Sequence, residues 1–186
     1  IDESFPKYQP AYDTAQYIAV KKAQAYRPLL DSAISHQETS INHQQPSDGN
    51  PELLILTADT VVIAPSSEEQ NDQEGKGIIL GKPKDAADAS RMLEMLSGKT
   101  HHVVTGVCIT SQEKQRQFSV VTEVTFKKLS KEEIDYYVGH YKPFDKAGAY
   151  GIQEWIGYIG CTSLKGSYFN VMGLPVQRIY EELKKF

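Results

Sequence analysis

Apolar and polar positions along the chain fall into blocks whose period changes several times. Leu53-Leu54-Ile55-Leu56 runs through Ala58-Asp59-Thr60 into Val61-Val62-Ile63-Ala64, an apolar run that reads as a buried strand broken by one acid. A polar stretch from Pro65 to Lys76 follows, and Ile78-Ile79-Leu80 then leads into Gly81-Lys82-Pro83, so the two runs predict a hairpin with a long loop. With Ala64 opposite Gly77, Val61 would face Leu80 and Asp59 would face Lys82 across the ladder. Two readings of that pair stay open on the residues alone. A carboxylate between apolar runs is costly unless a cation or ligand meets it, which points to metal ligation or general-base work, with Lys82 neutralising phosphate. Equally, Asp-Thr can end a strand through local bonds to the backbone, and a facing lysine can be an ordinary salt bridge.

Helical period takes over elsewhere. Residues Asp13 to Tyr26 predict a helix capped by Asp13 or Thr14, with Tyr17, Ile18 and Val20 on its apolar face and Pro28 closing it. Asp85 caps a helix with Ala89, Met92, Leu93 and Leu96 inward and Gly98 as its stop. His101–Thr110 and Phe118–Leu129 predict two long strands joined by the turn Ser111 to Gln117, with His101 and His102 structural or solvent-facing. Ser130-Lys131-Glu132-Glu133 is a capping box that opens a helix through Ile134, Tyr137 and Val138, ended by Pro143. Tyr158–Leu164 predicts another strand, and Pro175 opens a last helix with Val176, Ile179, Tyr180 and Leu183 as its buried stripe. Hairpins interspersed with helices predict an α/β or α+β protein with a mixed sheet.

Composition narrows the partners. The chain has 186 residues, 40% of them hydrophobic and 24% charged, as expected of one globular domain. Twenty basic against twenty-four acidic side chains, a formal charge of −4, argue against nucleic acid or an anionic membrane held on a basic face. No run is long enough to span a membrane. Cys108 and Cys161 lack metal-ligand spacing and read as buried free thiols, which fits a reducing, cytoplasmic setting. The least ordinary segment is Asp145-Lys146-Ala147-Gly148-Ala149-Tyr150-Gly151-Ile152-Gln153, where glycines let backbone approach a ligand and a charged pair precedes a single amide.

Ala58-Asp59-Thr60, Gly81-Lys82-Pro83, Leu96-Ser97-Gly98, Thr105-Gly106-Val107, the Asp145–Gln153 segment, Gly166-Ser167-Tyr168 and Gly173-Leu174-Pro175, in that order, together resemble the Maf family of nucleoside triphosphate pyrophosphatases. The likeness runs from Glu3 to about Leu183, with 31–50 and 65–77 as surface loop insertions. It implies a Maf/inosine-triphosphatase-like fold, an elongated two-lobed α/β structure with a central cleft, and the homodimer that family members often form. The family begins with a strand, a Ser-rich loop and a Ser-Pro-Arg-Arg turn. This sequence opens at Ile1, so residues 1–186 are expected to be a single Maf-like domain truncated at its N-terminus.

By position, Asp59 resembles the family's catalytic carboxylate and metal ligand, Lys22 and Lys82 its two lysines near the phosphates, and Gln153 the amide that recognises the base. Glu3 takes the place of another acidic active-site residue, and Thr60 and Lys146 are further substrate-binding candidates. The chemistry implied is attack of water on the α-phosphorus of a nucleoside triphosphate, with Mg or Mn bridging phosphate oxygens. The Gly148–Gln153 form resembles the subgroup that prefers dTTP and UTP. The alternative is a catalytically weak nucleotide-binding or regulatory protein acting through partners, in line with the family's association with septum formation.

Overall fold

The computed structural model describes residues 3–38, 53–66 and 77–186. A five-stranded sheet in the order β2-β1-β3-β4-β5 forms its centre: β1 is Ile55–Ala64, β2 Ile78–Leu80, β3 Thr100–Thr110, β4 Gln115–Phe126 and β5 Cys161–Lys165. Every pairing among the described residues is antiparallel, so their sheet is not mixed as its hairpins and helices suggested. Helix α1 (Ala11–Glu38) covers one face, where Ala11 and Ala15 pack on Val61, Ile63 and Val104. The opposite face carries α2 (Ala86–Leu96), α3 (Lys131–Tyr141) and α4 (Trp155–Gly160) over a core that includes Val62, Leu80, Leu93, Val103, Phe126 and Tyr137. Helix α6 (Val176–Leu183) closes a smaller cluster of Val107, Ile109, Phe118 and Ile179 at the other end of that face.

The capped helices form where their sequence signals lie. Asp85 accepts from the Asp88 amide at the start of α2, whose buried residues are Ala89, Met92, Leu93 and Leu96. Ser130 and Glu133 complete the capping box of α3.

Other expectations are corrected. Helix α1 starts at Ala11 and continues past Pro28, so 31–38 is helical rather than part of a loop, while 39–50 lies outside the described residues. An interior proline removes a backbone bond at a cost of about 3 kcal/mol. Leu30, 1% exposed just beyond it, offsets much of that through a burial worth about 2 kcal/mol. The buried face of α1 is built from Ala11, Ala15, Ile18, Ala19 and Ala23, while Tyr17 is exposed; alanines carry little hydropathy signal, yet they let the helix lie close to the sheet.

The hairpin register also differs by one residue: Val62 pairs with Leu80 and Ala64 with Ile78, so Asp59 does not face Lys82. In this register Pro65 falls opposite Gly77 and has no N–H to extend the ladder. Of the expected 65–77 loop, 67–76 lies outside the described residues. The turn between β3 and β4 is tighter than expected, closed by the Ser111 amide donating to the Lys114 carbonyl at 2.9 Å.

Tyr158–Gly160 belongs to α4, and β5 starts only at Cys161. Ile156 and Gly160, four residues apart, bury one helical face, and the Gly157 amide donates to the Glu154 carbonyl at 2.9 Å. On α6 the buried pair is Ile179 and Glu182, while Val176, Tyr180 and Leu183 are exposed. Glu182 is 1% exposed because Arg116 Nε at 2.5 Å and Arg178 Nε at 2.8 Å meet its carboxylate. Cys108 is buried and Cys161 half-exposed; both are free thiols. No helix of the described residues is long and apolar enough to cross a membrane.

Gly106 sets how closely α1 approaches. A Cβ there would lie 2.2 Å from the Gln16 amide nitrogen and 2.4 Å from the Ala15 carbonyl carbon, both immovable helix backbone. Replacing Gly106 with Ala should therefore lower stability by about 2–3 kcal/mol, read as a fall in the thermal midpoint by circular dichroism, whereas Gly139→Ala, in open space on α3, should not.

Candidate active site

Asp59 and Thr60 are adjacent on β1, so their side chains point to opposite faces of the sheet. Asp59 pairs across the ladder with Gly106 and shares its face with α1. From that helix Lys22 reaches down and places Nζ 2.6 Å from Asp59 Oδ1. The same ammonium lies 2.8 Å from Glu3 Oε1 in the segment before α1. One lysine thus bridges two carboxylates, with its own side chain 18% exposed and that of Asp59 14%. Lys82, just after β2, adds a second cation 3.6 Å from Glu3 Oε2 and is 58% exposed.

These contacts set the charges. The hydrogen bond from Lys22 holds the Glu3 carboxyl below its ordinary range. Burial pushes Asp59 up, by more than the bond from Lys22 brings it down. Burial also acts against the Lys22 ammonium, but its bonds to Asp59 and Glu3 outweigh that and raise it, so it stays charged.

The opposite wall is the Asp145–Gln153 segment. A single 3-10 turn, Ala147–Ala149, contains Gly148 at φ +69° in the left-handed region, where its Cα lies against Val62 and leaves no room for a Cβ. The Gly148 amide donates to the Gly81 carbonyl at 3.1 Å, tying this wall to the turn that carries Lys82. Behind it, Tyr150 Oη lies 2.8 Å from His101 Nε2, and burial, then the neighbouring His102, pushes His101 down to about 4, so a neutral imidazole holds the phenol. The ring centroids of His101, Phe126 and Tyr150 lie 4.9–5.4 Å apart, in edge-to-face contact. Lys146 Nζ sits 2.9 Å from Asp145 Oδ1 and 3.3 Å from Glu154 Oε1. Gln153 is exposed at the mouth.

The third wall comes from α5 (Tyr168–Val171) and the residues after it. Thr60 Oγ1 lies 2.8 Å from Thr105 Oγ1, which donates to the Asn170 carbonyl at 3.1 Å. Asn170, fully buried, donates to the Val103 carbonyl and to Thr122 and so fixes α5 on the sheet.

Together these walls enclose an open cleft of about 760 Å³, lined by Glu3, Asp59, Thr60, Lys82, Lys146 and Gln153 among others. Lys22 joins it through its bonds to Asp59 and Glu3, so all seven residues singled out in the sequence lie in one place, although Asp59 meets Lys22 rather than Lys82. Sequence reasoning missed Glu154, which holds Lys146, and Asn170. Neither stands at a spacing that marks it, and each acts through a partner distant along the chain.

The donors suit a hard cation that shares its shell with substrate. Glu3 and Asp59 are two carboxylates held on one cation, and Mg²⁺ is commonly bound by one or two protein carboxylates plus phosphate oxygens and water. Among the described residues no cluster of three or more His, Cys, Asp or Glu could hold a metal unaided.

Fold and cleft define an α/β protein whose antiparallel sheet carries paired acids and lysines on one rim and a Gly-rich, amide-bearing loop on the other. The chain belongs to the Maf family: the family described as Maf-like protein matches residues 1–186. Among similar proteins, the dTTP/UTP pyrophosphatase of Phocaeicola vulgatus is 50% identical over 185 residues, covering all of this chain and 80% of that protein. The proteins of the same name from Bacteroides fragilis and Porphyromonas gingivalis are 45% and 47% identical, with 80% and 79% of their lengths covered.

The direction of the Asp59 shift has a stability consequence. A carboxyl whose pKa is higher in the folded than in the unfolded chain is more easily protonated when folded, so its ionisation removes stability as pH rises through that interval. At neutral pH Asp59→Asn should leave the thermal midpoint unchanged or raise it, as measured by differential scanning fluorimetry; a large fall would make the carboxylate structural.

Proposed function

We propose that this protein is a nucleoside triphosphate pyrophosphatase that converts dTTP and UTP to the monophosphate and pyrophosphate. The observation that carries the reading is the Glu3–Lys22–Asp59 constellation, a desolvated carboxylate and a second acid sharing one lysine, with Lys82 beside Glu3, in a cleft large enough for a nucleotide. The names of the relatives at 45–50% identity support the choice of substrate.

In the proposed reaction, Asp59 orients a water and takes one of its protons. The water oxygen bonds to the α-phosphorus as the bond from that phosphorus to the α–β bridging oxygen breaks, and pyrophosphate leaves with that oxygen. Lys82, half-exposed at the rim, meets the β- and γ-phosphates, and Lys22 holds the two acids in place and offsets charge near the α-phosphate. A divalent cation, Mg or Mn, would be held by Asp59 beside Glu3 and would neutralise charge on the phosphate oxygens. Thr60 and Lys146 contact the substrate across the cleft.

Gln153 can pair its amide with the O4 and N3–H edge that uracil and thymine share. Cytosine presents the reverse pattern. The fold is read as the elongated two-lobed, inosine-triphosphatase-like one, supported by two apolar clusters on either side of the polar contacts among Thr60, Thr105 and Asn170. On this reading the protein works in the cytoplasm as a homodimer.

The test is pyrophosphate release by the purified protein with dTTP, UTP, CTP and GTP and Mg or Mn, with dTTP and UTP expected above CTP and all three above GTP. Asp59→Asn should lower kcat by about a hundredfold or more. Lys22→Ala and Lys82→Ala should lower kcat/KM for the triphosphates far more than they lower the thermal midpoint. Gln153→Glu should reduce pyrimidine use by about tenfold. Nucleotide binding without turnover would instead favour a regulatory protein.

A further inference from the structure

Gln153 stands in a four-residue turn, Gly151–Glu154, closed by the Glu154 amide donating to the Gly151 carbonyl at 3.0 Å. One buried hydroxyl touches both ends of that turn. Tyr137 Oη accepts from the Gly151 amide at 3.0 Å and donates to Glu154 Oε2, while Glu154 Oε1 takes Lys146 at 3.3 Å. Tyr137 comes from α3, has no exposed surface and belongs to the main core, so the clamp is anchored in the rigid part of the molecule. A Cβ at Gly151 would lie 2.9 Å from Glu154 Cδ, so a side chain there would push the Glu154 carboxylate aside.

The donors and acceptors allow one arrangement. Burial and the neighbouring Glu154 carboxylate push the Tyr137 phenol up, so it keeps its single proton. A carboxylate accepts only, so that proton goes to Glu154 and a lone pair is left for the Gly151 N–H. We propose that Tyr137 and Glu154 are positioning residues for base selectivity: by clamping both ends of the turn they fix where Gln153 stands against the edge of the base. A turn free to shift would let its amide meet the cytosine edge as well as that of uracil. The proposal rests on the reading of Gln153 as the base-recognising group.

Two near-isosteric changes test it. Tyr137→Phe removes one oxygen. Glu154→Gln leaves a single acceptor for two donors, so either Tyr137 or Lys146 loses its acceptor at position 154. We would measure kcat/KM for UTP and CTP, with hydrogen exchange of the Gly151 amide followed by NMR. The expected result is that each variant loses about tenfold of the preference for UTP over CTP, mainly through KM for UTP. The double variant should lose no more than the worse single one, because both break one chain, and Gly151 exchange should quicken in all three. Equal losses for UTP and CTP, or an unchanged preference, would overturn the proposal, since a purely structural clamp lowers all activities together. If Glu154→Gln fails to fold, Tyr137→Phe decides by the same criteria. A parent protein with no pyrimidine preference, and indifferent to Gln153→Glu, would overturn the reading of Gln153 and this proposal with it. A parent that discriminates, with variants that still do, would overturn this proposal alone.

Discussion

The Lys22 ammonium held between Glu3 and Asp59 is the contact on which the cleft depends, because neither carboxylate would sit so close to the other without it. Its geometry depends in turn on a packing constraint. Asp59 shares a face with Gly106, and the missing side chain of Gly106 lets α1 settle directly on the sheet. From a helix lifted by even one methyl group, Lys22 would approach Asp59 from farther away. A glycine on β3 therefore supports the electrostatics of an acid on β1.

The other rim is held by different means. The Gly148 amide is bonded to the Gly81 carbonyl, so the loop that carries Gln153 and the turn that carries Lys82 are tied together. His101 and Tyr137 then brace that loop from the core through Tyr150 and Gly151. Both braces are buried polar contacts, His101 Nε2 to the Tyr150 hydroxyl and the Tyr137 hydroxyl to Gly151 and Glu154, and such contacts are costly to break. The cleft thus has one wall set by a lysine between two acids and another set by buried hydrogen bonds from the core, with Lys146 paired to Asp145 and Glu154 at its edge.

Much of this was legible in the chain itself. Helices α2 and α3 carry their caps and apolar spacings in adjacent residues, and both signals act over one or two turns. Of the seven candidate residues, Asp59, Thr60, Lys82, Lys146 and Gln153 were legible in ordered motifs, and Glu3 and Lys22 only by position within the resemblance. Their contacts were not: the sequence pattern set Asp59 against Lys82, whereas the fold sets it against Lys22, thirty-seven positions away. Register was the cause, since a shift of one residue in a short hairpin changes every facing pair. The buried Glu182 was missed for a related reason, because a carboxylate belongs inside only when both Arg116 and Arg178 reach it.

The sequence by itself determined the local structure: the caps, the apolar stripes of α2 and α3, the β1 and β3 runs, and the set of polar residues available for chemistry. These depend on interactions between near neighbours, whose geometry the backbone supplies directly. Tertiary structure alone decided that α1 would run past Pro28, that Tyr158–Gly160 would be helical, and which acid would meet which lysine. Each of those outcomes balances a local preference against burial or charge pairing with a distant segment, and that balance exists only once the segments are brought together.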